Sequence, residues 1–224
     1  MDARSRRKIE MGYGAREHST SHPDPSPGHT ATVARLDELL NKAEVLAARQ
    51  LDGIKRVRAA TQEKRALERA MRRAHLPHLE RVAEVASREV PELAQKLVLK
   101  PNSRSQLAFR TAARGMAVEA EAQKELLVKY GLVEDVLADL VRMLDRFDAL
   151  VSQGAAARQT HVGARAELQA VAEEVVQVVS VMDGHNRFRF MNEPELLAGW
   201  ESASNVLAAP RGTAKPDDHV EPAA

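Results

Sequence analysis

Two arginines and a histidine interrupt an apolar pattern in a way that could bind an anion. In the stretch GAAARQTHVGARAEL, residues 154–168, the three-and-four spacing of the flanking apolar residues continues through Gly154, Arg158, His161 and Arg165. Guanidinium and imidazole groups on one helical face can hold a carboxylate or a phosphate, although burying them needs an anion or carboxylates nearby. Three interpretations stay open: a solvated stretch, a polar layer that sets helix register, and an anion pocket. We favour the solvated stretch.

A second group of cationic side chains lies between residues 55 and 73. This segment has eight basic and two acidic residues, a local charge of +6, and could follow the phosphates of a nucleic acid or an anionic surface. Residues 119–148, with eight acidic and four basic residues, have a local charge of −4, so complementary or solvated surfaces are the alternative that we favour. The predicted basic face consists of Lys55, Arg56, Arg58, Arg65, Arg69, Arg72 and Arg73.

Aromatic side chains alternate with arginines in HNRFRFM, residues 185–191. This alternation predicts an extended segment and is similar to a short base-stacking strand. We favour a different role, in which Phe188, Phe190 and Trp200 cover an open end of a helical bundle and serve as interaction aromatics.

Histidines offer weak metal-ligand patterns. His75 and His78 flank Pro77, which disturbs a helix, and no third ligand follows at a recognisable spacing. His18, His22 and His29 lie in a segment rich in Pro, Gly and Ser. The chain has no cysteine, no glycine-rich phosphate loop and no nucleophile motif. The sequence therefore predicts no metal, no cofactor and no catalytic residue, and an enzyme is the less favoured interpretation.

The composition favours helices as the elements that position these residues. Hydrophobic residues make up 44% of the 224 residues but aromatic ones only 3%, and the net charge is +1, which argues against a generally basic nucleic-acid binder. Apolar residues at three-and-four spacing predict a long helix from Thr30 or Thr32 to near Pro77, and a second helix that stops before Pro91.

The pattern predicts further helices in the second half of the chain. One begins with a capping box at Ser103 and Gln106 and ends at Gly131 in a left-handed conformation. A continuous helix follows over 133–182, and a short last helix begins after Asn192.

These elements predict an all-α fold, an antiparallel bundle of three to four long helices with a short C-terminal helix and disordered tails. We expect a disordered N-terminal arm over 1–28, the bundle over 29–207 and a disordered tail over 208–224. No apolar run is long enough for a membrane span, and no secretory signal is present, so we expect a cytoplasmic protein. Met1 and Met11 are both possible start residues.

Three segments carry a resemblance to other chains. LAFRTAARGMAVEAEA, VVSVMDGHNRFRF and HPDPSPG resemble those of uncharacterised bacterial all-helical proteins, over most of residues 20–207. That resemblance implies a bacterial, cytoplasmic setting and no activity. In its cysteine-free, alanine- and leucine-rich composition the chain is also similar to phasins, which are granule-coating helical proteins.

The sequence favours a non-enzymatic helical interaction or scaffold protein that self-associates, with a protein partner or a second copy as its partner. Long helices with few aromatic side chains bury little area alone. One alternative is a peripheral coat on a granule or membrane surface. The other is a nucleic-acid-associated protein that uses the basic face at 55–73.

Overall fold

The computed structural model describes residues 1–99 and 105–205, and all the regular structure in these two ranges is helical. In chain order the helices are α1 (Ala3–Ser21), α2 (Pro27–Ala70), a π-helical turn (Met71–His75), α3 (Leu76–Ala86), α4 (Leu93–Lys96), α5 (Gln106–Ala122), α6 (Lys124–Lys129), α7 (Glu134–Arg189) and α8 (Pro194–Ser204). The predicted all-α fold class is confirmed. Within the described ranges, none of these helices has the length and apolar content that crossing a membrane requires. The predicted tail over 208–224 lies outside the described residues.

The chain divides into two compact units, and the long helices α2 and α7 contribute to both. Unit 1 contains residues 1–50 and the chain from Val162 onward, and unit 2 contains Leu51–His161. Each unit has its own hydrophobic core.

In unit 1, the N-terminal part of α2 and the C-terminal part of α7 pack antiparallel, with α1 and α8 against them. Arg35 of α2 forms an ion pair with Glu174 of α7 at 2.8 Å, and the rings of His29 and His185 lie 5.4 Å apart. The largest fully buried side chains of this core include Leu36, Leu40 and Trp200.

Helix α1 replaces most of the predicted disordered arm, so the prediction for residues 1–28 is wrong over Ala3–Ser21. The Asp2 side chain caps α1 by accepting a hydrogen bond from the Ser5 N–H at 2.8 Å. Ile9, Met11 and Ala15 are buried in the core of unit 1. Gly12 allows this close approach, because a Cβ at that position would lie 2.7 Å from Cγ1 of Val175.

The start of α2 also differs from the prediction. Helix α2 begins at Pro27 rather than at Thr30 or Thr32, and Ser26 lies immediately before it. The Ser26 carbonyl accepts from the Thr30 N–H at 3.0 Å, while the two threonine hydroxyls donate to carbonyls four residues earlier, as they do inside a helix.

In unit 2, the C-terminal part of α2 and the N-terminal part of α7 are also antiparallel. Arg146 of α7 forms an ion pair with Glu63 of α2 at 2.7 Å. Helices α3, α5 and α6 complete a core in which Met71, Phe109 and Phe147 are buried. Phe109 and Phe147 meet edge to face with ring centroids 6.3 Å apart.

The predicted kink near Pro77 is a π-helical turn. The Leu76 N–H donates to the Met71 carbonyl five residues earlier, which widens the helix directly before Pro77. Proline lacks an N–H, and its ring crowds the carbonyl four residues before it, so a wide turn at this point lets the helix continue into α3.

The third predicted helix is confirmed at its end but is split in the middle. Gly131 has a φ of 100°, and the Leu132 N–H donates to the Leu127 carbonyl at 2.8 Å, which forms the predicted left-handed termination. Gln123 separates α5 from α6. The predicted cap Ser103 lies outside the described residues, and Ser105 caps α5 by accepting from the Ala108 N–H at 3.1 Å.

Helix α7 confirms the continuous helix predicted over 133–182 and extends it to Arg189. The extended segment predicted at HNRFRFM is therefore wrong. Met182, Asn186 and Phe190 are buried at four-residue spacing, and the Asn186 carbonyl accepts from the Phe190 N–H at 2.9 Å. Burying one side of a helix decides the structure of this segment, although the alternation of Arg and Phe favours an extended segment. The predicted last helix is confirmed as α8, which begins at Pro194.

Candidate interaction surfaces

A cleft of about 370 Å³ runs between α2 and α7 in unit 2, and we name it the α2–α7 cleft. Its lining includes four alanines and a leucine from the two helices, Ala59, Ala60, Leu150, Ala156 and Ala157. Asp52, Arg56 and Glu63 also line it, and Arg56 forms an ion pair with Asp52 at 2.8 Å. The cleft therefore has a small-residue apolar lining with charges of both signs.

Small residues at the contact between α2 and α7 explain why the cleft forms there. A Cβ at Gly53 of α2 would lie 2.8 Å from Cβ of His161, and one at Gly154 would lie 3.7 Å from Cβ of Ala60. The helices thus pack closely through glycine and alanine, and the small side chains leave space along the cleft.

The three predicted anion residues fall in two different units of the chain. Arg158 is exposed and His161 is half-buried, both in unit 2, while Arg165 is exposed in unit 1. The buried positions in this part of α7 are Ala157, which is 7% exposed, and Ala164, which is 1% exposed. Each buried alanine directly precedes one of the two arginines, so the arginines lie beside the packed side of α7 and not on it.

The predicted basic face is present in unit 2 in a reduced form. Arg56 pairs with Asp52, and Arg72 pairs with Glu68 at 2.9 Å while its guanidinium carbon lies 4.4 Å from the ring centroid of Phe109. Five other side chains are exposed and, among the described residues, have neither a hydrogen bond nor an ion pair. We name these five the unpaired basic face: Lys55, Arg58, Arg65, Arg69 and Arg73.

Several acidic residues of 119–148 pair with cations outside the unpaired basic face. Asp148 contacts Arg110 and Arg114, Arg114 also contacts Asp145 at 2.8 Å, and Lys96 contacts Glu119 at 3.2 Å. Burial raises the pKa of Asp148, but hydrogen bonds from Arg110 and Arg114 outweigh burial and hold the pKa below its usual value. Within the described part of unit 2, no acidic side chain forms an ion pair with the unpaired basic face.

Two of the three predicted interaction aromatics belong to the core of unit 1. Trp200 is 0% exposed and donates its indole N–H to the Asp183 carboxylate at 2.9 Å, and Phe190 is 2% exposed. Phe188, at 77% exposed, is on the surface. The prediction that all three cover the end of a bundle is therefore wrong for Phe188.

Four histidines cluster in unit 1 where α1, α2, α7 and α8 meet. The rings of His18 and His22 lie 4.4 Å apart, and His18 meets Trp200 edge to face at 5.5 Å. Burial lowers the pKa of His18, with His22 adding to the effect, and buried Nε2 of His18 has no hydrogen-bond partner in the described chain.

The second histidine pair lies beside an aspartate. His185 contacts Asp24 at 2.7 Å, and burial lowers the pKa of His29, which the Asp24 charge opposes. A backbone hydrogen bond from Ser26 and the His185 contact lower the pKa of Asp24 to about 2. No set of three or more His, Asp or Glu side chains in the described residues has the geometry to hold a metal ion, and this applies to His75 and His78 also.

Residue spacing in the sequence could not reveal the contacts of the histidine pairs, because Asp24 and His185 are far apart in the chain. The paired alanines at 59–60 and 156–157 are a weak signal in the sequence for the α2–α7 cleft.

Comparison with protein-family models, with curated proteins and with solved structures finds no match to this chain.

Proposed function

We propose that this chain is a non-enzymatic helical interaction protein that self-associates through the α2–α7 cleft. The observation that supports the proposal is the small-residue lining of that cleft, where α2 and α7 present Ala59 and Ala156 as exposed side chains. Alanine exposed along two antiparallel helices leaves a shallow apolar surface that another helix pair can cover.

A second copy of the chain fits this surface by symmetry. In a two-fold dimer the same patch meets itself, so charges of both signs beside its apolar centre allow cations of one copy to face carboxylates of the other. Asp52, Arg56 and Glu63 supply them. Two antiparallel helix pairs facing each other would form a four-helix arrangement, which is the common way for such helices to bury an apolar side.

Sedimentation velocity over a range of protein concentrations tests the proposal. We expect the wild-type chain to form a discrete oligomer. The double variant Ala59→Lys and Ala156→Lys should be monomeric, because two charges would enter the centre of the interface without partners. Both alanines are exposed, so we expect the substitutions to leave the fold of the single chain intact.

The matched control is Ala48→Lys together with Ala155→Lys. These alanines are exposed on the same two helices but do not line the cleft. The control should keep the wild-type oligomeric state. A wild-type chain that stays monomeric at every concentration, or an oligomer that survives Ala59→Lys and Ala156→Lys, would overturn the proposal.

A further inference from the structure

The unpaired basic face is a row of cations along one side of a single helical segment in unit 2. Arg58, Arg65, Arg69 and Arg73 follow one another at intervals of seven, four and four, and Lys55 precedes them by three. These intervals return to the same side of a helix. At 1.5 Å per residue the row is about 27 Å long.

We propose that the unpaired basic face binds the phosphate backbone of a double-stranded nucleic acid. This inference goes beyond self-association and does not depend on it. Five exposed cations close together repel one another, and an external polyanion would relieve that repulsion.

The acids of the same helical segment do not neutralise the row. Asp52 pairs with Arg56, Glu63 with Arg146, and Glu68 with Arg72. On the side of the helix that carries the row, the intervening residues are Gln62 and Ala66, which are exposed and uncharged. The surface thus has one sign of charge along its whole length.

The side chains around the row favour a duplex over a single strand. Proteins that bind single strands without sequence preference stack bases on aromatic side chains. Residues 55–73 contain no aromatic residue. A row of guanidiniums without a stacking platform can contact phosphates but not unstacked bases, so we expect binding that is independent of base sequence.

The same surroundings argue against a membrane. A helix that binds an anionic bilayer buries large apolar side chains beside its cations. Between Lys55 and Arg73 no large apolar side chain is exposed, and the exposed neighbours are alanine and glutamine. Electrostatic attraction would hold such a helix near an anionic lipid surface, but the helix has no large apolar side chain there to insert into the bilayer.

Fluorescence anisotropy with labelled duplexes tests the proposal. The probes are a DNA duplex and an RNA duplex of two unrelated sequences each, and vesicles with anionic lipid serve as the lipid arm in a flotation assay. We expect duplex binding that weakens with salt, with a slope of log affinity against log salt of about −4 to −5 for five phosphate contacts. The two sequences should bind equally.

The variant Arg65→Glu, Arg69→Glu and Arg73→Glu should weaken duplex binding by about a hundredfold or more at low salt. Arginine and glutamate have similar helix propensities, so the helix should persist, which circular dichroism checks. The matched control reverses Arg49 of α2 together with Arg158 and Arg165 of α7, which are exposed outside the row and change the net charge equally. The control should lose less than a tenth as much affinity.

Each result decides the proposal. Duplex binding lost in the first variant and kept in the control supports it. Absent duplex binding at low salt, equal losses in both variants, or binding to vesicles only would overturn it. Sedimentation of the same variants separates this proposal from self-association, because Arg65→Glu, Arg69→Glu and Arg73→Glu should leave the oligomeric state unchanged.

Discussion

Gly53 of α2 lies against His161 of α7, so that a Cβ at Gly53 would be 2.8 Å from Cβ of His161 and 3.1 Å from the Ala157 carbonyl oxygen. Neither atom is the free end of a flexible side chain. The absence of a side chain at position 53 therefore sets how closely the two helices approach within unit 2.

Gly53→Ala should destabilise the protein, although glycine to alanine inside a helix normally stabilises by about 1 kcal/mol. The clash would force the helices apart and cost about 1–3 kcal/mol of overpacking. Urea denaturation followed by circular dichroism measures the change. Gly115→Ala in α5 is the control, because a Cβ there meets nothing within 4 Å, and it should be neutral or stabilising. Equal effects of both substitutions would show that the close approach at Gly53 is not tight.

Gly14→Ala should loosen the contact of α1 with α8. A Cβ at Gly14 would lie 2.8 Å from the carbonyl oxygen of Ala203, which belongs to the backbone and cannot rotate away. We expect faster amide hydrogen exchange in α8, with little change in α5 and α6. Gly184→Ala in α7 is the control, since a Cβ there has open space around it. Unchanged exchange in α8 would contradict the prediction.

Trp200→Ala should destabilise unit 1 by about 3–5 kcal/mol, because it leaves a large cavity in the core. Trp200→Phe keeps most of the volume but removes the indole N–H that Asp183 accepts, so we expect a smaller loss of about 1–3 kcal/mol. Thermal and urea unfolding compare the two. If the losses were equal, the hydrogen bond rather than the volume would dominate at this site.

The stability of the protein should fall as the pH decreases below about 6.5. Burial lowers the pKa of His18 and His29 from the ordinary value of 6.5, so the unfolded chain binds more protons than the folded chain below that pH. Their contribution is fully present above the unfolded pKa and is lost as the pH falls toward the folded values. His22, His185 and Arg189 add positive charge nearby, and Asp24 opposes them.

Urea denaturation at about pH 7.5 and about pH 5.5 measures this loss. The double variant His18→Phe and His29→Gln removes both titrating rings and should have a flatter pH dependence. Asp24 acts at lower pH: its pKa of about 2 is below the ordinary 3.8, so its contribution is present above 3.8 and lost as the pH falls further. A double variant as pH-sensitive as the wild type would contradict the assignment to His18 and His29.

The helices that bury large apolar side chains could be predicted from the sequence, and those that bury small or polar ones could not. Three-and-four spacing found α2 and α7, and Pro77 and Gly131 marked a real distortion and a real helix end. Helix α1 was missed because Ser5, Gly12 and Ser19 are among its buried residues. Spacing arguments weight large apolar residues, whereas most buried positions of this helix are small or polar, with Ile9 and Met11 as the exceptions.

The same limitation explains the outcome at the candidate surfaces. The apolar pattern placed Arg158 and Arg165 on the packed side of α7, where Ala157 and Ala164 lie instead. Which of the seven cations in the basic face stay unpaired depends on Glu68 and Asp52 one turn away and on Phe109 of another helix. Spacing predicted the face, but the ion pairs that reduce it to five residues follow from side-chain geometry.

Trp200 is the chain's single tryptophan, and it is enclosed in unit 1, whereas the aromatic residues of unit 2 are phenylalanine and one tyrosine. Tryptophan fluorescence therefore comes from unit 1 alone. Melting followed by this emission reports only on unit 1, while ellipticity records both units, so two ordinary spectrometers can reveal whether the halves of this molecule unfold together.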